Sequence, residues 1–576
     1  MRSMATRIML PALASAGVLL AGCGPESGGG LALQIHYNPG DGPQQLRSND
    51  PPPDGTAPDD ITDYRICVSA PDMNKPKCQN FNRADHPSGA KLGGLKPGSD
   101  RKVTFQGYDV GAEYAVRWCG NVDGIEVKGD KTTAVSMYIS ACSDFTAVRN
   151  AMQHRRAFHS ATRLDDGRVL VAGGFASLSG PAACSGGSCY TLSATSSIDI
   201  YNPRTGQFDP SSGLELIHPR GLHSASLLPD GRVLIAGGAA KAIWRVSFPD
   251  GPLPVIEVDT GAGGDDSLAG NSAELIDPAS NSVEEINLTT ARADHRAVGF
   301  SSGDVLLLNG LAPATNQPLD SFSRYVVDQV GFSDIGNAAN APRQGMAVAE
   351  FAEHTFLIWG GNHADSADPG PFAEVVYEEA GGEVFVFQPQ FVLTAASSRG
   401  DPAFYAAAAS PAANQVLVTG GMIVDEAYDG SLSNRVRILN TFRLCEMAPQ
   451  NESFVDTGNE TLRFPRAFHS ASALPASPVD GEVMVAGGAT YYDPGSQSFE
   501  LTERVEFFST ATNIFEEKQI ESRSVTLLEP RAGHAVAPLD DGSVFLSGGL
   551  TDSGSGLEIS DTAEIYNPAP RSLRVE

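Results

Sequence analysis

Five histidines recur at equivalent places in the chain, and repeated histidines are the residues that most readily suggest a metal site. Each stands three residues after an arginine. The pairs are Arg156 with His159, Arg220 with His223, Arg292 with His295, Arg466 with His469, and Arg531 with His534. A metal site needs ligands that converge on one point, whereas a repeat places one histidine in each unit. Because arginine and histidine also satisfy buried backbone groups, we assign them to the architecture and predict no metal and no cofactor.

Paired glycines end the apolar segments that follow these histidines. The clearest pairs are Gly173 with Gly174, Gly237 with Gly238, Gly487 with Gly488, and Gly548 with Gly549. No Lys-Ser or Lys-Thr follows them and no helical pattern begins there, so they do not form a phosphate loop. They suit strand ends where two backbones approach closely or φ becomes positive. The chain also lacks GxSxG, HExxH and paired-carboxylate spacing. The sequence therefore predicts no catalytic residue, and a protein that is not an enzyme.

The arginines, histidines and glycines belong to a longer repeated unit of 51 to 72 residues. Its copies begin at Arg156, Arg220, Arg292, Arg343, Arg399, Arg466 and Arg531. Each copy reads as a strand, a turn, an apolar strand, a variable loop, a third strand and often a short fourth strand. The third strands begin at Ser196, Ser272, Phe322, Ala373, Asn434, Glu503 and Thr562. One antiparallel sheet of four strands cannot bury both faces alone, so the units must stack radially.

This unit resembles the kelch repeat, on its Arg-x-x-His-Ser segment, its Gly-Gly strand and the later Tyr-Asn-Pro. The resemblance covers roughly residues 156–576 and is degenerate in the third, fourth and fifth copies. It implies an all-β fold, with a seven-bladed kelch-type β-propeller at residues 149–576; six or eight blades are alternatives. Closing a ring needs one further outer strand. Either Asp144–Val148 or Ser572–Glu576 supplies it.

The region before the repeats differs in pattern. Residues 31–148 contain about six short alternating strands, which predict a small β-sandwich. The turn at Gly93–Gly98 resembles that of fibronectin-III-like and transthyretin-like modules. Six cysteines are disulfide candidates: Cys67, Cys78, Cys119, Cys142, Cys184 and Cys189. We expect each to pair with the next along the chain, although four cysteines in one region allow three pairings and a zinc site is a weaker alternative. Cys445 is left over.

The first residues predict export. Residues 1–22 combine two arginines with a short apolar run, as a signal peptide does. Leu20-Ala-Gly-Cys23 resembles the lipobox of bacterial lipoproteins, which implies that Cys23 is lipidated and that residues 23–30 form a tether. The resemblance predicts an exported, membrane-anchored lipoprotein, in the outer membrane if the source is Gram-negative. The lipid makes the membrane one expected partner.

Net charge and loop lengths point to the remaining partners. A net charge of −29 excludes nucleic acid as a probable partner, since phosphate binding needs a basic surface. The loops between second and third strands are long and varied, and insertions on one face of a repeat array usually mark a binding face. We therefore predict a non-enzymatic scaffold for a protein or glycan ligand. The alternative is a copper radical oxidase resembling galactose oxidase, which needs a Tyr crosslinked to Cys, a second Tyr and two His.

Overall fold

The structure is a computed structural model that describes most of the chain. In the described parts, every secondary-structure element except two short helices is a strand. These parts are residues 29–37, 61–87, 89–108, 116–184, 187–210, 213–245, 256–259, 268–335, 339, 341–361, 373–379, 383–387, 390–393, 403–424, 436–448, 453–456, 461–475, 477, 479–493, 498–520, 522–552, 554 and 556–568. The exceptions are the α-helix Leu268–Asn271 and the 3₁₀-helix Val327–Gln329. The all-β prediction is confirmed. No helix in these ranges has the length and apolarity to cross a bilayer.

The N-terminal domain consists of two sheets around one apolar core. The three-stranded sheet has the order Lys91–Leu95, Gly29–His36, Thr132–Tyr138. The five-stranded sheet has the order Lys77–Asn82, Asp63–Ser69, Gly98–Tyr108, Val116–Val127, Ser140–Ala141. Alternate residues of both sheets, such as Ile35, Tyr64 and Phe105, face the shared core. Burial of this apolar surface holds the two sheets together.

Seven further sheets follow, and each contains four antiparallel strands, which follow one another in chain order in the first six sheets. Their inner, second, third and outer strands are, sheet by sheet, Ser160–Arg163, Val169–Ala172, Ile198–Asn202 and Gln207–Phe208; Ser224–Leu227, Val233–Ala236, Ser272–Asp277 and Ser282–Asn287; Arg296–Gly299, Val305–Leu308, Phe322–Val326 and Gly331–Ile335; Ala347–Ala352, Thr355–Trp359, Ala373–Glu378 and Val384–Phe387; Ala407–Ala409, Gln415–Thr419, Phe442–Ala448 and Ser453–Asp456; Ser470–Ala473, Glu482–Ala486, Val505–Ser509 and Ile514–Glu516; Ala535–Pro538, Val544–Ser547, Ala563–Tyr566 and Phe145–Ala147. In the fifth sheet, Gln390–Leu393 adds a parallel strand outside the fourth. The count covers only the described ranges.

The second strand of each sheet is apolar because both of its faces are covered. Val169–Ala172, for example, is buried at every position. Its neighbours along the sheet satisfy its backbone, and the neighbouring sheets cover its side chains. A continuous apolar run of this kind is expected for a strand that has no solvated face. The turn before it contains Gly167 at φ +85°, a left-handed conformation that glycine adopts without strain.

The seven sheets are joined by one repeated hydrogen bond. The glycine that ends the apolar segment of each repeat donates its N–H to a carbonyl of the next repeat, at distances between 2.7 and 3.0 Å. It follows another glycine in six repeats and Asn309 in the third. The bonds run from Gly174 to Arg220, Gly238 to Arg292, Gly310 to Arg343, Gly361 to Ala403, Gly421 to Arg466, Gly488 to Arg531, and Gly549 to Arg156. The last bond connects the seventh sheet to the first, so the series of bonds is circular.

The outer strand of the seventh sheet comes from the other end of the chain. Phe145–Ala147 pairs antiparallel with Ala563–Tyr566. Of the two sequence-based alternatives for the closing strand, the first is therefore the one observed, and residues 572–576 lie outside the described ranges. The chain that leads into the first repeat is thus hydrogen-bonded to the last.

The fifth repeat requires two corrections. Its first residue is Ala403, because the N–H of Gly361 bonds the Ala403 carbonyl as its equivalents bond arginines; the predicted start, Arg399, lies outside the described residues. The third strand is Phe442–Ala448, whereas the segment from Asn434 contributes Val436–Ile438 to a hairpin with Met422–Val424. The sequence misled here because both segments have the same alternating apolar pattern. Cys445 consequently lies in a third strand, not near a fourth.

The four cysteines of the N-terminal domain form the two predicted bonds. Cys67 is joined to Cys78 across two adjacent strands, and Cys119 is joined to Cys142. Cys189 is also disulfide-bonded, while the side chain of Cys184 lies outside the described residues.

Candidate functional site

The repeated arginines are completely buried and bind polar groups of their own repeat. Arg466 is representative: its guanidinium donates to the Gly487 carbonyl at 2.8 Å and to the Glu506 carboxylate at 2.6 Å. The same carbonyl contact is made by Arg156, Arg220, Arg343 and Arg531 with Gly173, Gly237, Gly360 and Gly548, and by Arg292 with Asn309. The paired carboxylates belong to third strands: Asp199, Glu274, Glu374, Glu506 and Glu564. A buried charge is tolerated only when it is paired and hydrogen-bonded, as here.

The repeated histidines bind hydroxyl groups of an adjacent repeat. Each Nε2 lies 2.8 to 2.9 Å from a serine or threonine oxygen. The pairs are His159 with Ser547, His223 with Ser160, His295 with Ser224, His469 with Thr419, and His534 with Ser470. Burial lowers the pKa of all five imidazoles, for His223 and His534 to about 3, so the rings are neutral. Within the described ranges, no three His, Cys, Asp or Glu residues form a group that could hold a metal.

A ring of left-handed residues surrounds the axis of the seven sheets, and sequence analysis missed it. The position two residues after the first residue of each repeat has φ between 49° and 62°. These residues are Phe158, Leu222, Asp294, Gly345, Tyr405, Phe468 and Gly533. Six hydrogen bonds join successive members of this ring, each from the N–H of one member to the carbonyl of its neighbour. The bond from the Phe158 N–H to the Gly533 carbonyl, for example, is 2.8 Å long. The signal lay in the sequence at the two glycines and more weakly at Asp294; phenylalanine, leucine and tyrosine do not indicate a positive φ.

The long connections between second and third strands form a cap over this ring. The connections of the first two repeats pair into one sheet, with the order Phe175–Cys184, Gly187–Ala194, Lys241–Arg245, Ile256–Val258. Hairpins from the third, fifth, sixth and seventh repeats surround it: Leu311–Ala312 with Gln317–Pro318, Met422–Val424 with Val436–Ile438, Ala489–Asp493 with Ser498–Leu501, and Leu550–Asp552 with Leu557–Ile559. We call the four-stranded sheet the cap sheet. In the described residues, the face predicted to carry binding loops thus has a second layer of strands.

Trp244 of the cap sheet fills the centre of the ring. Its side chain is 0% exposed and stacks on Phe499 with centroids 5.4 Å apart. It also meets Phe158 and Phe468 edge-on, at 6.2 and 5.8 Å. Residues of the cap and the ring form one apolar cluster that includes Tyr405. Because this cluster lies across the axis, a small ligand entering from the cap face would have to displace buried aromatic side chains.

Asp294 and Tyr405 are the polar members of the ring. Asp294 is 4% exposed, and its Oδ2 accepts a hydrogen bond from the Tyr405 hydroxyl at 3.1 Å. Arg296 approaches the same carboxylate at 3.8 Å. Burial is the main cause that raises the pKa of Asp294 to about 6, and it also raises the pKa of Tyr405 well above its usual range. The pair therefore carries a proton whose binding changes near neutral pH.

This carboxyl should make stability depend on pH. Its pKa in the folded protein, about 6, exceeds its usual value of 3.8, so the folded state binds the proton more tightly and loses stability as pH rises from 4 to 6. By linkage the difference is about 3 kcal/mol. We expect Asp294→Asn to remove this dependence, so that the wild type loses about 2 kcal/mol of this stability relative to the variant between pH 4 and pH 7, the rest being lost below pH 4. Urea unfolding of both proteins at each pH measures it; parallel curves would contradict the assignment.

A cavity lies where the N-terminal domain meets the first and seventh repeats. It has a volume of about 790 Å³ and is lined by the turns at 165–168, 202–204 and 539–541 and by residues 121–124. Five aspartates line it: Asp123, Asp165, Asp166, Asp540 and Asp541. Arg168 pairs with Asp166, and Arg163 with Asp540, so part of this charge is neutralised. Burial raises the pKa of Asp541. The cavity is polar and lies near the short turns, away from the cap.

The described residues do not fit the copper centre that the oxidase alternative requires. Cys445 is buried in an apolar cluster with Trp359 and Val418, which contains no tyrosine. Tyr405, at the axis, is bonded to Asp294, and the repeated histidines are bonded to hydroxyls in separate repeats. No Tyr–Cys pair with two nearby histidines is therefore present among these residues.

Comparisons with known proteins find a likeness among solved structures but not among protein families. No family profile and no curated protein match the chain. Among solved structures, it is similar to one described as a novel fungal alcohol oxidase with catalytic diversity among the AA5 family, in complex with copper. The sequences are 14% identical, the likeness covers 73% of this chain and 75% of that chain, and the TM-score is 0.47.

This likeness corrects one prediction. The similar structure is an enzyme, so the sequence-based prediction that the chain is not an enzyme is overturned and is not carried further. At this identity and TM-score, the likeness itself assigns no activity, substrate or metal to the chain.

Proposed function

We propose that the chain is a lipid-anchored protein of the bacterial cell envelope that binds a protein or glycan on the outer surface of the cap. In this proposal Cys23 carries the lipid, the N-terminal domain is a β-sandwich spacer, and the seven sheets are the blades of one closed kelch-type propeller. The circular series of bonds from Gly174 to Gly549 supports the closed ring. The proposal that the protein binds a ligand is based on the structure of the cap.

The cap sheet has one buried and one accessible face. Tyr190, Leu192 and Trp244 are buried toward the axis. The alternate residues Thr191 and Ser193 point the other way and are partly exposed. A structured sheet keeps its accessible side chains in fixed positions, which lowers the entropic cost of binding. A broad surface of this kind fits a large ligand, and the apolar cluster beneath it excludes a small one from the axis.

The outer face of the cap sheet is chemically mixed. It presents hydroxyls, the aliphatic side chain of Ile243 and the partly exposed carboxylate of Glu257, which is held by an ion pair of 2.7 Å to the buried Arg245. Hydroxyl groups supply donors and acceptors and the carboxylate supplies further acceptors, as protein surfaces and glycans require. This mixture is the observation that favours a polar macromolecular ligand.

The binding assignment is tested by blocking the cap surface. Thr191→Arg with Ile243→Arg adds two bulky charges to the outer face, and Glu284→Arg makes a similar change on an exposed outer strand of the second sheet. Quantitative capture from envelope extract and a glycan array should show at least about a tenfold loss for the cap variant, because a charge clash of this size costs more than about 1.4 kcal/mol. Equal capture by wild type and cap variant would refute the proposal.

Two measurements separate the remaining parts of the proposal. Labelled fatty acid should be incorporated into the wild type and not into Cys23→Ser; labelling of both, or of neither, would refute the anchor. Copper analysis of the purified protein tests the oxidase alternative. Stoichiometric copper with a radical signal would replace the binding proposal with that alternative.

A further inference from the structure

The lysines of the chain are confined almost entirely to one domain. Seven of the nine lysines lie between residues 75 and 131, whereas the 428 residues from 149 to 576 contain two. That later part has 53 acidic and 26 basic residues and is strongly negative. A separation of charge on this scale creates a protein with two electrostatically different ends.

Four of these lysines lie where the chain enters the first strand. Gly29 pairs with Leu95, which places Lys96 beside the start of this strand. On the other side, the Gly30 N–H bonds the Lys131 carbonyl at 2.9 Å, and a Cβ on Gly29 would overlap the Lys128 carbonyl. Lys91 stands opposite Ala32 on the edge strand. We call the surface formed by Lys91, Lys96, Lys128 and Lys131 the lysine end.

The lysine end is exposed and only partly neutralised. All four side chains are exposed. Lys96 pairs with Asp72 at 2.9 Å, and Lys128 with Glu126 at 3.2 Å; both pairs are open to solvent. Lys91 and Lys131 make no ion pair with a described residue. Asp100 and Asp130 are the other carboxylates nearby in sequence, so the surface is mixed but far less acidic than the repeats.

The lysine end lies at the opposite end of the strand from the repeats. Gly29–His36 ends at His36, whose Nδ1 is 3.4 Å from Arg149. The parallel neighbour Thr132–Tyr138 ends at Tyr138, whose hydroxyl donates to the Ala147 carbonyl at 2.9 Å. Eight residues of strand span about 26 Å. The first strand therefore separates Lys96, Lys128 and Lys131 from the acidic repeats by about that distance, and Lys91, opposite Ala32, by about half of it.

We infer that the lysine end rests on the anionic headgroups of a phospholipid bilayer. The chain between Cys23 and Gly29 can reach at most about 20 Å when extended, so the proposed lipid would hold this surface close to the membrane. A negative lipid surface attracts each nearby lysine. The acidic repeats are repelled from the same surface. The lipid and the lysines together orient the domain upright, with the cap accessible; only the orientation rests on the proposed lipid anchor.

The test uses the chain from residue 23 onward with Cys23→Ser, so that no acyl chain contributes. Cosedimentation is measured with phosphatidylcholine vesicles, with and without 30% phosphatidylglycerol added as an anionic probe. Each lysine near such a surface is worth about fivefold in partitioning, so Lys91→Gln with Lys131→Gln should weaken binding by about 25-fold. Lys241→Gln with Arg204→Gln, which removes the same charge from the repeats, should leave binding unchanged.

Binding to the anionic vesicles alone that weakens with added salt supports the inference. Equal binding to both vesicle types, no binding to either, or equal losses in both double variants would overturn it. Circular dichroism establishes that the variants are folded, and Lys96→Gln with Lys128→Gln serves as a second variant if the first is not. Since lipidation is absent throughout, failure here leaves the anchor at Cys23 to be judged by its own labelling experiment.

Discussion

Replacing Arg466 by Met should lower the free energy of unfolding by about 3–5 kcal/mol, because it leaves the carboxylate of Glu506 buried without its cation. In the wild type this carboxylate is fully buried and lies 2.6 Å from the guanidinium. The guanidinium also satisfies the carbonyls of Gly487 and Arg504, at 2.8 and 3.1 Å. A domain has only about 5–15 kcal/mol of net stability, so the loss is a large fraction of the total. Urea unfolding measures it.

Arg463 provides the matched control in the same connection. Its side chain is 55% exposed and reaches Glu517 at 3.5 Å. An ion pair of this kind contributes about 0–1 kcal/mol, so Arg463→Met should be nearly neutral. If Arg466→Met and Arg463→Met lower the free energy of unfolding by similar amounts, burial of the repeated arginines does not stabilise the fold. The assignment of these arginines to a structural role would then be wrong.

Adding one methyl group at Gly548 should destabilise the protein by about 3–5 kcal/mol. Gly548 has φ +57°, and a Cβ there would overlap the carbonyl oxygen of Arg156. The left-handed conformation costs an alanine about 1–2 kcal/mol, and overpacking against backbone costs about 1–3 kcal/mol. The overlap also separates the backbones that the bond from Gly549 to Arg156 joins, at 2.8 Å. Gly548→Ala therefore strains the contact between the last and first repeats.

The control separates backbone strain from the clash. Gly124 also has a positive φ, +68°, but a Cβ added there would meet nothing within 4 Å. Gly124→Ala should cost only the strain of about 1–2 kcal/mol. The two variants are compared by urea unfolding, and hydrogen exchange at the seventh and first sheets should rise only in Gly548→Ala. Equal destabilisation with no local change in exchange would show that Gly548 does not hold the ring together.

In the proposed upright orientation, the lysine end faces the membrane and the cap remains accessible to a ligand. The lysine end and the repeats are separated by the strand that ends at His36. The cap lies on the face of the repeats formed by the long connections, and the acidic cavity lies near the short turns. Binding at the cap can therefore be tested independently of the membrane, with the Cys23→Ser protein in solution.

The sequence already predicted much of the repeat. Arg156, His159 and the Gly-Gly pairs identified the repeated unit, because a buried ion pair, a hydroxyl contact and a close backbone approach each require one residue type. The sequence-based prediction failed in the repeat that lacks both the characteristic arginine and the characteristic histidine. In the fifth repeat Ala403 replaces the arginine, and only the bond from Gly361 shows where the repeat begins. A sequence pattern cannot locate the start of a repeat that has lost its characteristic side chains and keeps only the backbone hydrogen bond.

What the sequence by itself determined is local: the all-β composition and the strand and turn pattern. The structure then selected one of the three pairings that the four cysteines of the N-terminal domain allow. The tertiary structure alone decided the contacts between distant segments. It joined Phe145–Ala147 to the last sheet, twisted Phe158 and Tyr405 into the left-handed region, and placed Trp244 across the axis. These features arise because seven sheets and the six described connections must pack around one shared centre, and no single segment contains that requirement.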